Sequence, residues 1–537
     1  MSRDAPRAPL TCVVVSRGSR IRRWEEQCIR LATDAGVAVT VAGVRTCSDA
    51  ESREDAGAGR FARALLGNSA AMAWCDLVTD GDILQRQEAD DSFEQRAIDF
   101  LTARAPDFLL ILEGVDEDFA ERLARTARWG CWSYRFGPAL TGGPAAAALD
   151  ASQSGRATIG AALLMLGAGG AGGHVLGDGH VTTFPARPAR TLDQICFAAT
   201  PWLRSACLAV ADAGSVERAA PGPVRRAPTQ PDPLSPARLA LGILTGAART
   251  QAHYRLFRQQ WNVGVVPAPI HVVAGLEGAD AQAAALAATR WMPEEKGRFF
   301  ADPFGYPAAD GTMRIYFELL DWKTGRGTIA ARTFDGARFS PAETVLDRPT
   351  HLSYPFVRRI GGQWHFIPEH AEARDVSAYA ADGEGAVDNP TPLLRGAALL
   401  DCTFLDWEGR IWMFAVEERH AGNAELFLFH SENIAGPWQP HPLNPIKTDV
   451  QNARPAGTPF VYQGKLYRPA QDCSRHYGQA TVIHEIVTLN ERAYVERPVA
   501  RVEPPSGSRY DFGLHTVSSL GEMTLIDGAR KAFRWTT

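Results

Sequence analysis

The chain has 537 residues, 45% of them hydrophobic and 22% charged, with a formal net charge of −5. This is enough apolar material for more than one packed core, and a slightly acidic chain without a basic tract gives no reason to expect a nucleic-acid partner. The apolar run after the N-terminal charges and the Gly160–Gly169 segment are too short for a secretory leader or a membrane span, so a cytoplasmic chain with no transmembrane segment is expected.

Leu10–Gly18, LTCVVVSRG, reads as a buried strand running into a glycine turn. SRIRRWEEQCIRLATDAG follows as a helix and VAVTVAGV as a second strand. Strand, helix and strand at this spacing predict a parallel sheet, and the turn at Gly18 lacks the GxGxxG of a dinucleotide site. A helix near Phe93–Ala103 precedes a buried strand in Pro106–Gly114, which places Glu113 at a carboxyl edge of the sheet, where open α/β sheets bind ligands. DGD at Asp80–Asp82 reads as a turn or cap rather than a metal motif. Cysteines 12, 28, 47, 75, 131, 196, 207, 402 and 473 show no CxxC spacing, which argues for a reducing compartment and against a zinc cluster or disulfide scaffold.

Six prolines between residues 216 and 236 mark a linker. The expected organisation is an α/β domain over 10–215, the linker over 216–236, a connecting helix over 237–262 and an all-β domain over 263–537. The all-β assignment rests on a repeated pattern: Ala301–Glu318, Ser353–Glu369, Cys402–Glu417 and Thr458–Asp472, with Leu514–Gly528 as a weaker fifth copy. Each strong copy has a Phe on an apolar run, a turn, an alternating run, and a carboxylate 12 to 14 residues after the Phe. Copies about 50 residues apart are spaced like propeller blades.

In a propeller the innermost strands converge on one site. Asp302 stands at the entry of the first copy; its counterparts are Tyr354, Cys402 or Thr403, Thr458, and His515 or Thr516. The second strands end in Glu318, Glu369, Glu417 and Asp472. These carboxylates either tie one repeat to the next or surround a polyhydroxylated substrate. His351, His365, His370, His420 and His430 lack a tight ligand spacing, and no metal site is expected.

Two resemblances follow from these motifs. Trp132–Gly137 and the TGGP loop at Thr141–Pro144 resemble the core of the formyltransferase family, where a strand is followed by a glycine- and proline-rich loop, a helix and a strand pair. Tyr134 or Arg135 occupies the place of that family's catalytic histidine, which implies a degenerate domain kept as scaffold, docking or regulatory element. The second half resembles the five-bladed propellers of the invertase, levansucrase and arabinanase class. Through FFADPF, SYPFV, CTFLDWEGRIWMF and ARPAGTPFVYQGKLYRPAQDC, it resembles more closely the bacterial relatives of the N-terminal domain of plant glucosamine inositolphosphorylceramide transferases.

A glycosidase needs two carboxyl groups facing one another across the scissile bond. Asp302 is the candidate nucleophile or base, and Asp401, Glu417 or Glu369 the candidate acid. In the hydrolase class the middle blade carries its Asp in an RDP phrase, whereas LLDCTF puts Asp401 one residue out of step with no arginine beside it. Arg454, Arg468, Arg475 and His476, with Gln471 and Tyr477, form the densest basic cluster and suit the phosphate of a nucleotide-sugar donor; Arg454 and Arg468 could equally neutralise Asp472 and Glu417. The substrate-binding candidates are therefore Glu318, Tyr354, Glu369, Arg454, Arg468, Gln471, Asp472, Arg475, His476, Tyr477 and His515, with Asp302, Asp401 and Glu417 catalytic. The expected activity is glycosyl transfer from an activated donor in glycan assembly, with no cofactor assigned. A propeller-class glycoside hydrolase or phosphorylase, a noncatalytic glycan-binding protein and a formyltransferase acting on a sugar amine are the alternatives.

Overall fold

A computed structural model describes residues 10–34, 40–45, 64–76, 83–85, 92–138, 140, 142–166, 173–214, 222–223, 234–381, 390–418 and 423–534. Asp80–Asp82, Cys47, His420 and most of the proline-rich linker lie outside them. The chain forms two compact units, Met1–Ala248 and Arg249–Thr537. A helix runs over Pro236–Leu256 and the first strand of the second unit begins at Phe257.

The first unit is built on β1 (Thr11–Ser16), with β2 (Arg20–Arg22), β3 (Thr40–Arg45), β4 (Trp74–Asp76), β5 (Ile83–Gln85), β6 (Phe108–Ile111), β7 (Cys131–Phe136), β8 (Thr158–Leu166), β9 (His174–Thr182) and the short β10 (Gly222–Pro223) following in turn. Val13, Val14 and Val15 are fully buried, the mark of a strand covered on both faces. The sheet runs β9-β8-β7-β6-β1-β3-β5. β1 pairs in parallel with β3 and β6, β3 with β5, and β6 with β7. The sheet is mixed rather than wholly parallel, because β8 pairs antiparallel with β7 and β9 antiparallel with β8.

The helix Arg23–Thr33 shows how the sequence sets this unit. Trp24, Cys28 and Ala32 fall on one buried stripe at helical spacing. The Glu25 carboxylate accepts the Arg22 N–H at 2.8 Å, closing the helix start, and the Glu113 N–H at 2.9 Å, tying it to the end of β6. Burial, then the neighbouring Glu113, push Glu25 up to about 7.

The second unit is propeller-like and all-β in its sheets. Its first strands are β11 (Phe257–Val266) and β12 (Arg290–Trp291). Three meanders follow: β13 (Arg298–Pro307), β14 (Met313–Asp321), β15 (Arg326–Phe334) and β16 (Glu343–Leu346); β17 (Ser353–Ile360), β18 (Gln363–Glu369), β19 (Asp375–Ala380) and β20 (Thr391–Arg395); then β21 (Leu399–Trp407), β22 (Arg410–Glu417) and β23 (Glu425–Ser431), which pairs with β24 (Gln439–Pro440) and β25 (Lys447–Asp449). The last meander is β26 (Phe460–Tyr462), β27 (Lys465–Asp472), β28 (Ala480–Leu489) and β29 (Tyr494–Val502), after which β30 (Val517–Leu520) and β31 (Met523–Phe533) return to the start. The orders β13-β14-β15-β16, β17-β18-β19-β20, β26-β27-β28-β29 and β12-β11-β31-β30 are four-stranded sheets, and in the last of these β31 pairs with β11 from Phe257↔Phe533 to Val266↔Thr524.

The repeated phenylalanines pack between successive sheets. Phe304, Tyr354, Phe356, Phe404 and Met413 share one core, and Tyr316 stacks on Phe366 at 5.0 Å. Each such buried ring contributes roughly 1.5–3 kcal/mol of burial. The described cysteines, including Cys402 and Cys473, are free, and most are buried.

Candidate functional site

The site is made by one backbone device used in three successive sheets. The ladder between β13 and β14 shifts between Ala301 and Phe304, that between β17 and β18 between Ser353 and Phe356, and that between β21 and β22 between Leu400 and Thr403. The residue entering each bulge is left-handed: Asp302 at φ 52°, Tyr354 at φ 42° and Asp401 at φ 50°. Non-glycine residues seldom adopt this conformation, and here the bulges hold the three side chains in the interior; all three residues are 5% exposed or less.

This register corrects the sequence alignment at two points. Asp401 is the counterpart of Asp302 and Tyr354, and it is not displaced by one residue; Cys402 and Thr403 stand where Pro303 and Phe304 stand in the first copy. Glu318 lies opposite Ala301 and Glu369 opposite Ser353, whereas Val416 takes that place opposite Leu400 and Glu417 faces Leu399. A one-residue step turns a strand side chain to the other face, which separates Glu417 from the register of Glu318 and Glu369.

Asp302 is held from several directions. Its N–H donates to Asp527 Oδ2 at 3.1 Å, the Thr516 hydroxyl donates to its Oδ1 at 3.1 Å, and the Tyr354 N–H donates to its Oδ2 at 3.3 Å. His515 Nδ1 is 2.6 Å from Asp527 Oδ2, and its Nε2 is 3.5 Å from Asp302 Oδ1. The N–H groups of His515 and Thr516 donate to the other Asp527 oxygen. Trp261 stacks on the His515 ring at 4.1 Å. Burial pulls His515 toward neutrality, but Asp527 and then Asp302 outweigh it and favour the imidazolium. For Asp302 burial dominates, opposed by His515 and reinforced by Asp401 and Asp527, and its carboxyl is pushed up to about 6.

Donor atoms of Asp302, His515 and Asp527 come within 4.8 Å of one another.

Asp401 faces a different partner. Arg454 Nε and Nη2 donate to its two oxygens at 2.5 and 3.1 Å, Gln471 Nε2 donates to Oδ2 at 3.1 Å, and its own N–H donates to Glu369 Oε2 at 3.3 Å. Arg454 also donates to Asn423 Oδ1 at 2.9 Å and lies 3.9 Å from Glu369 Oε2. Burial, then Asp401, raise the Glu369 carboxyl well above the usual range despite Arg454, and burial followed by Asp302 does the same for Glu318. Glu318 and Glu369 are thus biased toward the carboxylic acid form in the same cluster as Asp302. The Tyr354 hydroxyl stands 2.8 Å from the Thr403 hydroxyl and accepts the Gly457 N–H at 2.8 Å.

Several predicted residues stand apart from this centre. Arg468 is fully buried but donates to Glu496 and to the carbonyls of Ala453 and Asn452, and Asp472 pairs with Arg501 at 2.7 Å. The proposed neutralising partnerships with Asp472 and Glu417 are thus replaced by Glu496 and Asp401. Thr458 accepts the Ser519 N–H. Arg475 is exposed in the turn after β27, where Tyr477, 37% exposed, presents its ring to His515 and lies 5.3 Å from the Arg454 guanidinium. His476 on the same turn stacks on Phe512 at 4.2 Å. Thr516, one of the two residues aligned with Asp302 in the fifth copy, reaches Asp302 directly, whereas Asp527, Trp261 and Asn423 escaped the sequence reading.

In the first unit, Tyr134 is buried with its hydroxyl donating to the Ala199 carbonyl, and Arg135 pairs with Glu117. Neither side chain is placed as a free base.

The profile of the family described as glucosamine inositolphosphorylceramide transferase 1, N-terminal, matches residues 285–512. Glucosamine inositolphosphorylceramide transferase 1 of Oryza sativa subsp. japonica is 35% identical over 217 residues, covering 38% of this chain and 29% of that protein. The Arabidopsis thaliana protein of the same name is 32% identical over 248 residues, covering 43% and 32%. The chain thus spans less than a third of the length of these curated relatives. Among solved structures, a thermostable family-43 glycoside hydrolase shows 11% identity and a TM-score of 0.30 over 37% of this chain and 74% of that one. Over residues 285–512 the all-β unit is similar to the N-terminal region of the glucosamine inositolphosphorylceramide transferases.

Proposed function

We propose that the all-β unit is a glycosyl-transfer domain acting in glycan or glycoconjugate assembly, with its five sheets as five blades and the sugar bound at the buried carboxyl cluster. The observation that carries this is the placement of Asp302 and Asp401 by equivalent bulges beside Glu318 and Glu369, which gives carboxylate and carboxylic acid forms in one pocket. The transferase names of the relatives support it. Asp302 is the base or nucleophile; Asp401, fixed by Arg454 and Gln471, shapes the field around it. Because Arg454 and Arg468 are committed to carboxylates, the anion of a nucleotide-linked donor would meet the exposed Arg475 at the mouth. By analogy with the relatives' name, an amino sugar as the transferred group and an inositol phosphate as acceptor are the first candidates. The first unit, where β7 leads through a loop and the helix Pro144–Ser154 into the β8–β9 pair, serves as a formyltransferase-like scaffold, in a chain that works in the cytoplasm.

The carboxyl pairing also favours a second reading, glycoside hydrolysis or phosphorolysis. Incubating the full chain with nucleotide sugars and aryl glycosides, with inositol phosphate, inorganic phosphate or water as acceptor, separates the readings. Product on a hydroxyl acceptor, lost in Asp302→Asn, supports transfer. Release to water or phosphate alone supports the second reading, and failure to bind any sugar refutes both.

A further inference from the structure

One pair in the pocket connects a buried carboxyl to solvent. Glu318 is 6% exposed, on β14, and His351 stands beside it with 32% of its side chain exposed. The Gly327 N–H donates to His351 Nδ1 at 3.0 Å. A backbone N–H can only donate, so Nδ1 must be the acceptor and the neutral ring carries its proton on Nε2. That Nε2 stands 3.3 Å from Glu318 Oε1.

The frame around the pair is rigid. The Gly327 carbonyl accepts the Leu352 N–H at 3.1 Å, so both polar groups of Gly327 grip the His351–Leu352 segment. A Cβ at Gly327 would lie 2.4 Å from the Leu352 carbonyl oxygen, 2.8 Å from Glu318 Oε1 and 2.9 Å from His351 Cε1. Only glycine fits between the two side chains. Glu318 also feels Asp302, Glu369, Asp527 and Asp401, all of which oppose its ionisation, and His351 feels Glu372 and Arg326, with burial the leading influence on each.

We propose that Glu318 is the acid of the transfer reaction, protonating the leaving oxygen of the donor, and that His351 is its positioning residue, fixed by Gly327 to face Oε1 and leave the acidic proton on Oε2. This rests on the glycosyl-transfer reading and deepens it by taking a glycoside in place of a nucleotide sugar as donor, because an acid serves a leaving group that is a poor one. As the bond from the anomeric carbon to the leaving oxygen breaks, the Oε2 proton goes to that oxygen. The acceptor hydroxyl bonds to the anomeric carbon and gives its proton to Asp302. The resting state returns when that proton passes back to Glu318 through water.

The experiment compares aryl glycosides with good and poor leaving groups on the full-length chain. E318Q is expected to slow phenyl glycosides on the order of 10²–10⁴-fold and dinitrophenyl glycosides less than about tenfold. H351N can accept the Gly327 N–H but not reach Oε1. It should slow the phenyl substrate and move the alkaline limb of the pH profile upward, because a donor facing the carboxylate is lost; H351Q, which keeps a donor, should restore it. An infrared difference spectrum, wild type minus E318Q at neutral pH, should show the carbonyl stretch of a protonated carboxyl whether or not turnover is seen. Equal slowing of both substrate classes by E318Q, or absence of that band, overturns the inference. A wild-type chain that binds and turns over no sugar overturns the transfer reading, and the acid's role with it.

Discussion

Replacing Arg454 by methionine should be among the most damaging single changes in the all-β unit. Asp401 is 2% exposed and Arg454 supplies two of its charge-assisted hydrogen bonds. Removing the guanidinium leaves Asp401 with Gln471 as a side-chain donor and strips Glu369 of its nearby cation. Truncating one partner of a buried pair costs about 3–5 kcal/mol, equivalent to a fall in melting temperature on the order of 10 °C for a unit of this size. Calorimetry should show that loss in one transition. The deficit should grow with pH, since without Arg454 the folded protein holds protons that the unfolded chain releases. R454M/D401N removes both charges and should recover at least half of the loss, because the cost lies in the orphaned carboxylate. A drop below about 1 kcal/mol for R454M, or a double variant no better than the single, would refute the reasoning.

Other consequences can be tested in parallel. If Asp302 acts ionised, kcat/KM should fall as pH drops through about 6, and Asp302→Asn should leave no such limb to measure. Glu369 keeps its proton to higher pH in the folded state than in the unfolded chain, so its contribution is lost as pH rises above the ordinary carboxylate range; E369Q should be more stable than wild type in urea at pH 8 and nearly equal to it at pH 4. Gly457 has φ 123°, and a Cβ there would lie 2.0 Å from the Val517 carbonyl oxygen, so G457A should abolish the folded unit in circular dichroism. G464A, with open space around its φ of 74°, should cost only about 1 kcal/mol.

The repeat was legible because its phenylalanines and turns recur at blade spacing, and these same residues pack between sheets. Asp302 and Tyr354 could be aligned because a Pro-Phe pair follows each. Asp401 could not, since Cys402 and Thr403 replace that pair and the bulge is recorded only in the ladder. The partners of the arginines were also illegible. Arg454 and Arg468 lie on neighbouring segments with similar composition, yet one reaches Asp401 and the other Glu496. Which carboxylate a buried cation meets depends on contacts tens of residues away. In the first unit the strand and helix pattern was readable, but the reversal of β8 was not, because strand direction leaves little trace in a buried apolar run.

The sheet that joins β11 to β31 also bears on when the site can exist. Its two central strands are separated by almost the whole length of the unit, and such distant pairing makes closure a slow, late step. His515, Thr516 and Asp527 belong to the returning segment, and the Asp302 N–H waits for Asp527 to arrive. During synthesis the earlier meanders can form while Asp302 still lacks its imidazole and hydroxyl partners. The pocket would then acquire its working electrostatics in the same event that locks the ring, so that competence and completion of the fold are one step on the ribosome's clock.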